Sequence, residues 1–276
     1  MDKATLEHLH NELQEIYEEI ARVCDAHNLS YFVIGGTLLG AIVHKGFIPW
    51  DDDLDIGMPR DDYEKFINLY AKELNDKYYL HDITTDDDYW VAFGKVCKKG
   101  TVLVEEKLAE KKEHDGIYVD ICPFDYTNKN SFNMFDRIKW KMIAWLINYI
   151  YSVGIGHRND SKSAKLLNPI FSKFSIKKLA RYRDNLIKSF DKGSHNFFID
   201  LAGGRSLENS CFSYDVFMPL QRIPFGEITV VAPNNPNAYL TQLYTEKYKI
   251  IPPKEEQVTR HAPVYIRFED GTEYKK

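Results

Sequence analysis

An α+β fold, with a mixed β-sheet core flanked by helices and a basic helical insertion, is the architecture this sequence predicts. Three observations carry that expectation. Helical and strand-like periods mix over residues 1–126, residues 132–190 turn helical, and short strand-like runs return after them. With 276 residues, 44% of them hydrophobic, the chain can bury one large core or a core with an appendage. The expected organisation is a mixed α and β core over 1–126, a basic helical insertion over 127–192, and a segment over 193–276 that completes the same core domain.

Leu6, Leu9, Leu13, Ile16, Ile20 and Val23 recur at spacings of three and four, the stripe of an amphipathic helix, and Asn28 is its expected end. "SYFVIGG" reads as a short buried strand and "GTLLGAIVHK" as a helix starting just after the glycines, with Thr37 placed to cap it. Asp53, Leu54, Asp55 and Ile56 alternate polar and apolar, the period of a half-buried strand. Pro59 stops that strand and opens the helix "RDDYEKFINLYAKEL", which has acidic residues in its first turn. "YYLHDI", "YWVAFGKVCKK", "TVLVEE" and "GIYVDICPF" are aromatic and β-branched, as strands are. Two helices are expected in the insertion, around "WKMIAWLINYIY" and "KKLARYRDNLIKSF", followed by a strand at "EITVVAP" and a helix at "PNAYLTQLY".

The net charge of −5 supplies no global reason to bind nucleic acid, and none is expected as a partner. The average hides a local excess. From Lys129 to Lys192 there are fourteen Lys and Arg against four Asp and Glu. Cys24, Cys97, Cys122 and Cys211 are widely spaced with no C-x-x-C pair, so reduced, intracellular thiols are expected rather than a disulfide framework or a zinc site. The polar, acidic N-terminus does not read as a signal peptide, and "MIAWLINYIY" is too short to span a bilayer, so no transmembrane segment is expected.

Chemistry concentrates at "IPWDDDLDIGMPR". In a strand, Asp53 and Asp55 project from one face while Leu54 and Ile56 enter the core. Carboxylates held side by side repel, and a divalent cation such as Mg²⁺, which accepts a few carboxylates together with phosphate oxygens, relieves that repulsion. For Asp51 and Asp52 the same role and simple orientation of the loop are equally open. Gly35 and Gly36 permit close backbone approach at a helix N-terminus, whose free amides suit a phosphate group. Asp120 lies between Val119 and Ile121 on another buried strand, where a lone carboxylate is costly unless paired or metal-bound.

Ile34-Gly35-Gly36, the paired acids Asp53 and Asp55, and the third acid Asp120 resemble the nucleotidyltransferase-fold signature. The 16 residues between Gly36 and Asp53 exceed that superfamily's usual gap. "GGTLLGAIVHKGFIPWDDDLDIGMPRDDYEKF" as a whole closely resembles the LicD family of phosphotransferases, in which the longer gap is normal, and "FGKVCKKGT", "GIYVDICPFD", "FGEITVVAPNNPNAYLTQLY" and "IPPKEEQVTRHAP" extend the likeness more thinly. The resemblance implies a nucleotidyltransferase-like fold and transfer of phosphocholine, or a related alcohol phosphate, from a CDP-alcohol to a sugar hydroxyl. The acceptor would be a bacterial surface glycan such as teichoic acid or lipopolysaccharide, carried on a lipid, and CMP would leave. CDP-choline is the leading donor, with CDP-ribitol and CDP-glycerol behind it.

On that resemblance, Asp53, Asp55 and Asp120 are the catalytic and metal-holding residues for Mg²⁺ or Mn²⁺, and Gly35, Gly36 and Thr37 bind a phosphate oxygen. Lys95 and Arg205, each beside a glycine, are either further phosphate ligands or surface charges near turns. His44 and His261 lie in segments that resemble the family, and their bland readings are a helix-end charge and a solvated tail residue; neither is singled out as a catalyst. Trp50, Trp90 and Tyr118 are among many candidates for an aromatic box around choline, and none is singled out. Two alternatives come from other classes: a metal-dependent glycosyltransferase using an Asp-x-Asp motif, against which the glycine pair argues, and an inert interaction domain of this fold, against which the three intact acids argue. The chain is expected in the cytoplasm. Its basic segment is either ordinary surface packing or a peripheral contact with the inner face of the plasma membrane through Trp140, Trp145, Lys139, Lys141, Arg181 and Arg183.

Overall fold

The computed structural model describes every residue except 112, 113, 157–168, 170, 194 and 204. Part of the expected helical insertion therefore lies outside the described residues. The fold is α+β. Helix α1 (Lys3–Ala26) is capped by Asp2, whose carboxylate accepts the Thr5 N–H at 2.8 Å, and the leucine and isoleucine stripe is its buried face. Asn28, at φ 55°, turns the chain out of the helix. Strand β1 (Phe32–Val33) leads into α2 (Gly35–Val43), and β2 (Asp55–Pro59) into α3 (Arg60–Lys65), which continues through a wide turn over Phe66–Tyr70 and a tight one over Ala71–Glu73.

Strands β3 (Tyr78–His81), β4 (Gly94–Lys98), β5 (Val102–Glu105) and β6 (Tyr118–Thr127) follow. Helices α4 (Met134–Gly154) and α5 (Ile176–Lys188) precede β7 (Phe197–Ile199) and β8 (Cys211–Ser213). The short α6 (Tyr214–Phe217), the pair β9 (Gln221–Phe225) and β10 (Ile228–Ala232), α7 (Pro236–Tyr244), β11 (Pro263–Arg267) and β12 (Glu273–Lys275) complete the order. The expected strand over "YWVAFGKVCKK" begins only at Gly94. The residues before it are taken by helix packing instead: a Cβ on Gly154, in the last turn of α4, would fall 2.2 Å from Trp90 side-chain atoms, so the indole needs a glycine there.

The chain divides into two compact units. The first comprises Met1–Leu80, Lys95–Ile121 and Asp215–Lys276. Its strands run β1-β2-β6-β4-β3, with β1 antiparallel to β2 in the register Phe32↔Gly57 and Val33↔Ile56. β9 and β10 form an antiparallel pair, and β11 lies between β5 and β12. Tyr17 of α1 accepts the Val231 N–H at 2.9 Å, which ties the N-terminal helix to β10.

A buried cation stabilises this unit. Lys98, 1% exposed, meets the carboxylates of Glu12 and Glu15 on α1 and Glu269 from the C-terminal segment. Removing the ammonium would strand the Glu12 carboxylate, itself buried. Lys98→Met should therefore lower unfolding stability by about 3 kcal/mol, the usual result of breaking one side of a buried ion pair, and urea denaturation measures it.

The second unit comprises His81–Gly94 and Cys122–Tyr214, so the helical segment shares it with flanking residues that the sequence grouping had placed elsewhere. Here the second half of β6 pairs antiparallel with β7 (Asp125↔Ile199), and β7 with β8 (Phe198↔Phe212). α4 starts with a reciprocal cap between Asn133 and Asp136. It packs on α5 through Leu146, Tyr149 and Ile150 against Leu179 and Ala180.

Three residues expected to face a membrane turn inward. The Trp140 indole donates to the Arg205 carbonyl at 3.2 Å and packs in the core, and Trp145 stacks on Tyr149 with ring centres 5.0 Å apart. Arg183 is buried, donating to Asp184 at 2.8 Å and to the Val91 carbonyl at 3.5 Å. Their apolar bodies fit helix contacts better than water, a choice that composition does not reveal. Among the described residues no helix is long and apolar enough to cross a membrane, and none of the four cysteines is in a disulfide.

Candidate active site

The site is assembled within the first unit. At its centre the start of α2 meets the acidic loop. Gly35, at φ +54°, takes the left-handed conformation that favours glycine, and its N–H donates to the Tyr239 hydroxyl at 3.3 Å. A Cβ on Gly35 would sit 3.3 Å from Oδ2 of Asp55, and one on Gly36 only 2.7 Å from Oδ2 of Asp51. The glycine pair is there because carboxylates lie against the helix start. The start of a helix and the acidic residues therefore share one place.

Thr37 does not cap the helix, which begins earlier, at Gly35, and Ile34 makes no side-chain cap. It is buried inside the first turn, where its hydroxyl accepts the Asp55 N–H at 2.9 Å. The Ile34 N–H donates to the Asp55 carbonyl at 3.2 Å. Thr37 is thus a positioning residue for Asp55. The next strand is tied in the same way, the Asp120 N–H donating to the Leu54 carbonyl at 3.1 Å.

The strand expected from Asp53 begins only at Asp55, and Asp53 lies in the loop before it; Asp53, Asp55 and Asp120 are nonetheless close enough for their charges to act on one another. Burial first, then the Asp53 and Asp120 charges, pushes Asp55 well above the usual carboxylate range. Asp53 is raised mainly by burial, opposed by His261. Asp120 is pushed up by burial to about 6, with Lys95 and His261 holding it down. Asp51 joins the group, raised by burial and by the Asp53 and Asp52 charges to about 8. Four carboxyl groups therefore resist ionising together.

Asp52 does orient the loop: its Oδ1 accepts the backbone N–H groups of Arg260 at 3.2 Å and His261 at 3.4 Å. Its other oxygen, like Oδ1 of Asp120, is buried with no hydrogen-bond partner among the described residues. Buried carboxylate oxygens left unpaired, in a group short of positive charge, fit a divalent cation. Asp52, Asp53 and His261 bring ligand atoms within 4.8 Å of one another, a grouping able to hold a metal ion.

His261 is the residue that sequence reading misjudged. Far from being a solvated tail residue, it places Nδ1 3.5 Å from both Asp52 and Asp53. Burial alone would lower its pKa, but the Asp52 hydrogen bond and the Asp53 charge raise it to about 10. Its sequence signal was the family-like segment "IPPKEEQVTRHAP", in which it follows Arg260. His44 keeps its bland role at the C-terminal end of α2, edge-on to Trp50.

Lys95 is not a surface charge. It is buried on β4 with Nζ 3.4 Å from the centre of the Tyr118 ring, and its charge acts on Asp120. Tyr118 in turn donates to Glu105 at 2.6 Å. Arg205 belongs to the second unit, where its charge acts on the buried Asp200.

Residues 28–146 match the family described as LicD/FKTN/FKRP, nucleotidyltransferase domain. The matched range contains every site residue above except His261 and its neighbours in the C-terminal segments. The chain is 38% identical over 98 residues, 36% of each chain, to the lipopolysaccharide cholinephosphotransferase LicD of Haemophilus influenzae. An uncharacterised Rickettsia typhi protein is 42% identical over 128 residues, 46% of this chain and 39% of that one. The mouse ribitol 5-phosphate transferase FKRP is 24% identical over 116 residues, 41% of this chain and 20% of that one. The chain thus spans well under half the length of these curated relatives in each match.

Proposed function

From the premise that this chain carries a LicD-family nucleotidyltransferase domain over residues 28–146, we propose that it transfers an alcohol phosphate from a CDP-alcohol to a sugar hydroxyl of a surface glycan. Phosphocholine is the first candidate and ribitol phosphate the second, in line with what the Haemophilus and mouse relatives are named for. The observation that carries the proposal is the packing of Asp51 and Asp55 against the glycine-built start of α2, which sets the N-terminal backbone of a helix beside a cluster of buried acids.

In this reading the acceptor oxygen attacks the distal phosphorus, the bridging P–O bond breaks, and CMP leaves with its electron pair. Asp120 serves either as the base that takes the acceptor hydroxyl proton or as a third ligand of the metal. The α2 amides hold a phosphate oxygen, and Lys95 keeps Asp120 partly neutralised. Mg²⁺ or Mn²⁺, held by Asp53, Asp55 and Asp120, would neutralise the pyrophosphate when bound. His261, with Asp52 and Asp53, offers a second grouping whose nitrogen suits Mn²⁺ better than Mg²⁺.

The test is product analysis. With Mg²⁺ or Mn²⁺ and a glycan acceptor, CMP should be released from one CDP-alcohol among CDP-choline, CDP-ribitol and CDP-glycerol, and no UDP from UDP-sugars. UDP release would make the protein a glycosyltransferase. Tight ATP binding without CDP-alcohol binding would return it to the generic nucleotidyltransferases.

A further inference from the structure

The first two turns of α4 present apolar side chains to water. Phe135 is 80% exposed, Met134 73%, Ile138 55% and Met142 37%. At 100° per residue these four fall within one arc of about 100°. The same arc further along the helix is covered, where Trp145 and Tyr149 stack on each other and pack beside Phe171. Apart from Val153, 47% exposed near the far end of the helix, the exposed apolar residues of α4 gather at its start.

Cations border it. By the helical spacing, Lys141 lies at one edge of the arc and Lys139 at the other. Lys139 donates to the Ser189 carbonyl at 3.4 Å, and its pKa is lowered by partial burial and then by the Lys192 charge. Lys129 adds to the same crowding, although it also pairs with Asp136. The C-terminal end of α5, whose following Ser189 carbonyl takes the Lys139 hydrogen bond, adds the exposed Lys188. The nearby acids are already engaged: Asp136 is buried at the α4 cap, Glu208 pairs with Arg137, and Asp184 with Arg183.

We infer that the start of α4 is a docking surface for an anionic lipid bilayer, with Met134, Phe135, Ile138 and Met142 entering the boundary between headgroups and acyl chains while the bordering lysines meet headgroup phosphates. A bilayer surface accommodates both features at once: it takes up flexible, non-hydrogen-bonding side chains without requiring shape complementarity, and its negative charge complements the rim. The helix lies on the surface rather than crossing it. This inference does not rest on the chemistry proposed above, and donor binding is read separately.

The experiment is vesicle co-sedimentation of the full chain with phosphatidylcholine vesicles, with and without phosphatidylglycerol, at low and high salt. The protein should bind the anionic vesicles at low salt, release at high salt, and ignore pure phosphatidylcholine. The double variants Phe135→Ser/Ile138→Ser and Lys141→Glu/Lys188→Glu should each bind at least about tenfold more weakly. Both should keep the melting temperature and the CDP-alcohol binding of the parent, since every altered side chain is exposed. Absence of vesicle binding by the parent at low salt, or binding that survives the Phe135/Ile138 change, would overturn the inference. So would a parent that dimerises in sedimentation while the Phe135/Ile138 variant stays monomeric, because a second copy would then cover the face.

Discussion

Asp55→Asn should remove transfer by roughly 10³-fold or more while making the metal-free protein harder to melt. The first half follows from loss of charge neutralisation at the pyrophosphate, an effect of several kcal/mol. The second follows from the crowding of Asp51, Asp53, Asp55 and Asp120, whose ionised forms burial and mutual repulsion disfavour. For a carboxyl whose folded pKa is raised, the associated stability is complete below the unfolded pKa and is lost as pH rises through the folded value. For Asp120 that window runs from 3.8 to about 6, and for Asp51 from 3.8 to about 8. The stabilisation by Asp55→Asn should therefore be larger at pH 8 than at pH 5, where more of the cluster keeps its protons. Melting curves in EDTA across that range measure it, and Mg²⁺ should raise the parent's melting temperature more than the variant's. Full turnover by the variant would remove the metal-site reading; a drop in metal-free stability at pH 8 would remove the crowding argument.

Gly36→Ala should cost about a hundredfold in turnover with little change in stability. Alanine is the better helix former by ~1 kcal/mol, so the backbone of α2 accepts it. The added Cβ would lie 2.7 Å from Oδ2 of Asp51, an impossible contact, and the side chain that gives way is the mobile end of a carboxylate belonging to the acid cluster. Displacing a charged group by about 1 Å in a site that works through positioning commonly costs that factor. Gly40→Ala separates this from simple overpacking. There the new Cβ would meet the Gly46 carbonyl oxygen at 2.5 Å and the Ile48 nitrogen at 2.9 Å, backbone atoms with no easy escape. That variant should lose ~1–3 kcal/mol of stability. Paired urea curves and turnover assays discriminate the two. A Gly36→Ala enzyme with parental activity would show that the acids need not approach the helix start.

Spacing within a few residues was enough to place most of the elements and the heart of the site. The stripe from Leu6 to Val23, the glycine pair before α2, the alternation around Asp53 and Asp55, and Asp120 between apolar neighbours each encode a local geometry, because helix and strand periods set which side chains share a face. The same local information was silent about partners. Thr37 resembled a cap, since a hydroxyl near a helix start usually is one; its actual bond is to Asp55, eighteen residues away. Lys95 looked like a turn residue until β4 and β6 came together and laid its ammonium over Tyr118.

Beyond the acid pattern, the sequence by itself determined that a two-sided charge distribution exists and that a helical basic segment carries it. Only the tertiary structure decided which side chains of that segment meet water. Trp140, Trp145 and Arg183 fill helix contacts, while Met134, Phe135 and Ile138 remain outside. It also brought His261 to Asp52 and Asp53, across more than two hundred residues. The physical reason is common to both. Periodicity specifies the angle at which a side chain leaves its own helix or strand, but burial and ion pairing depend on what the rest of the chain places opposite it, and no spacing along the chain records that.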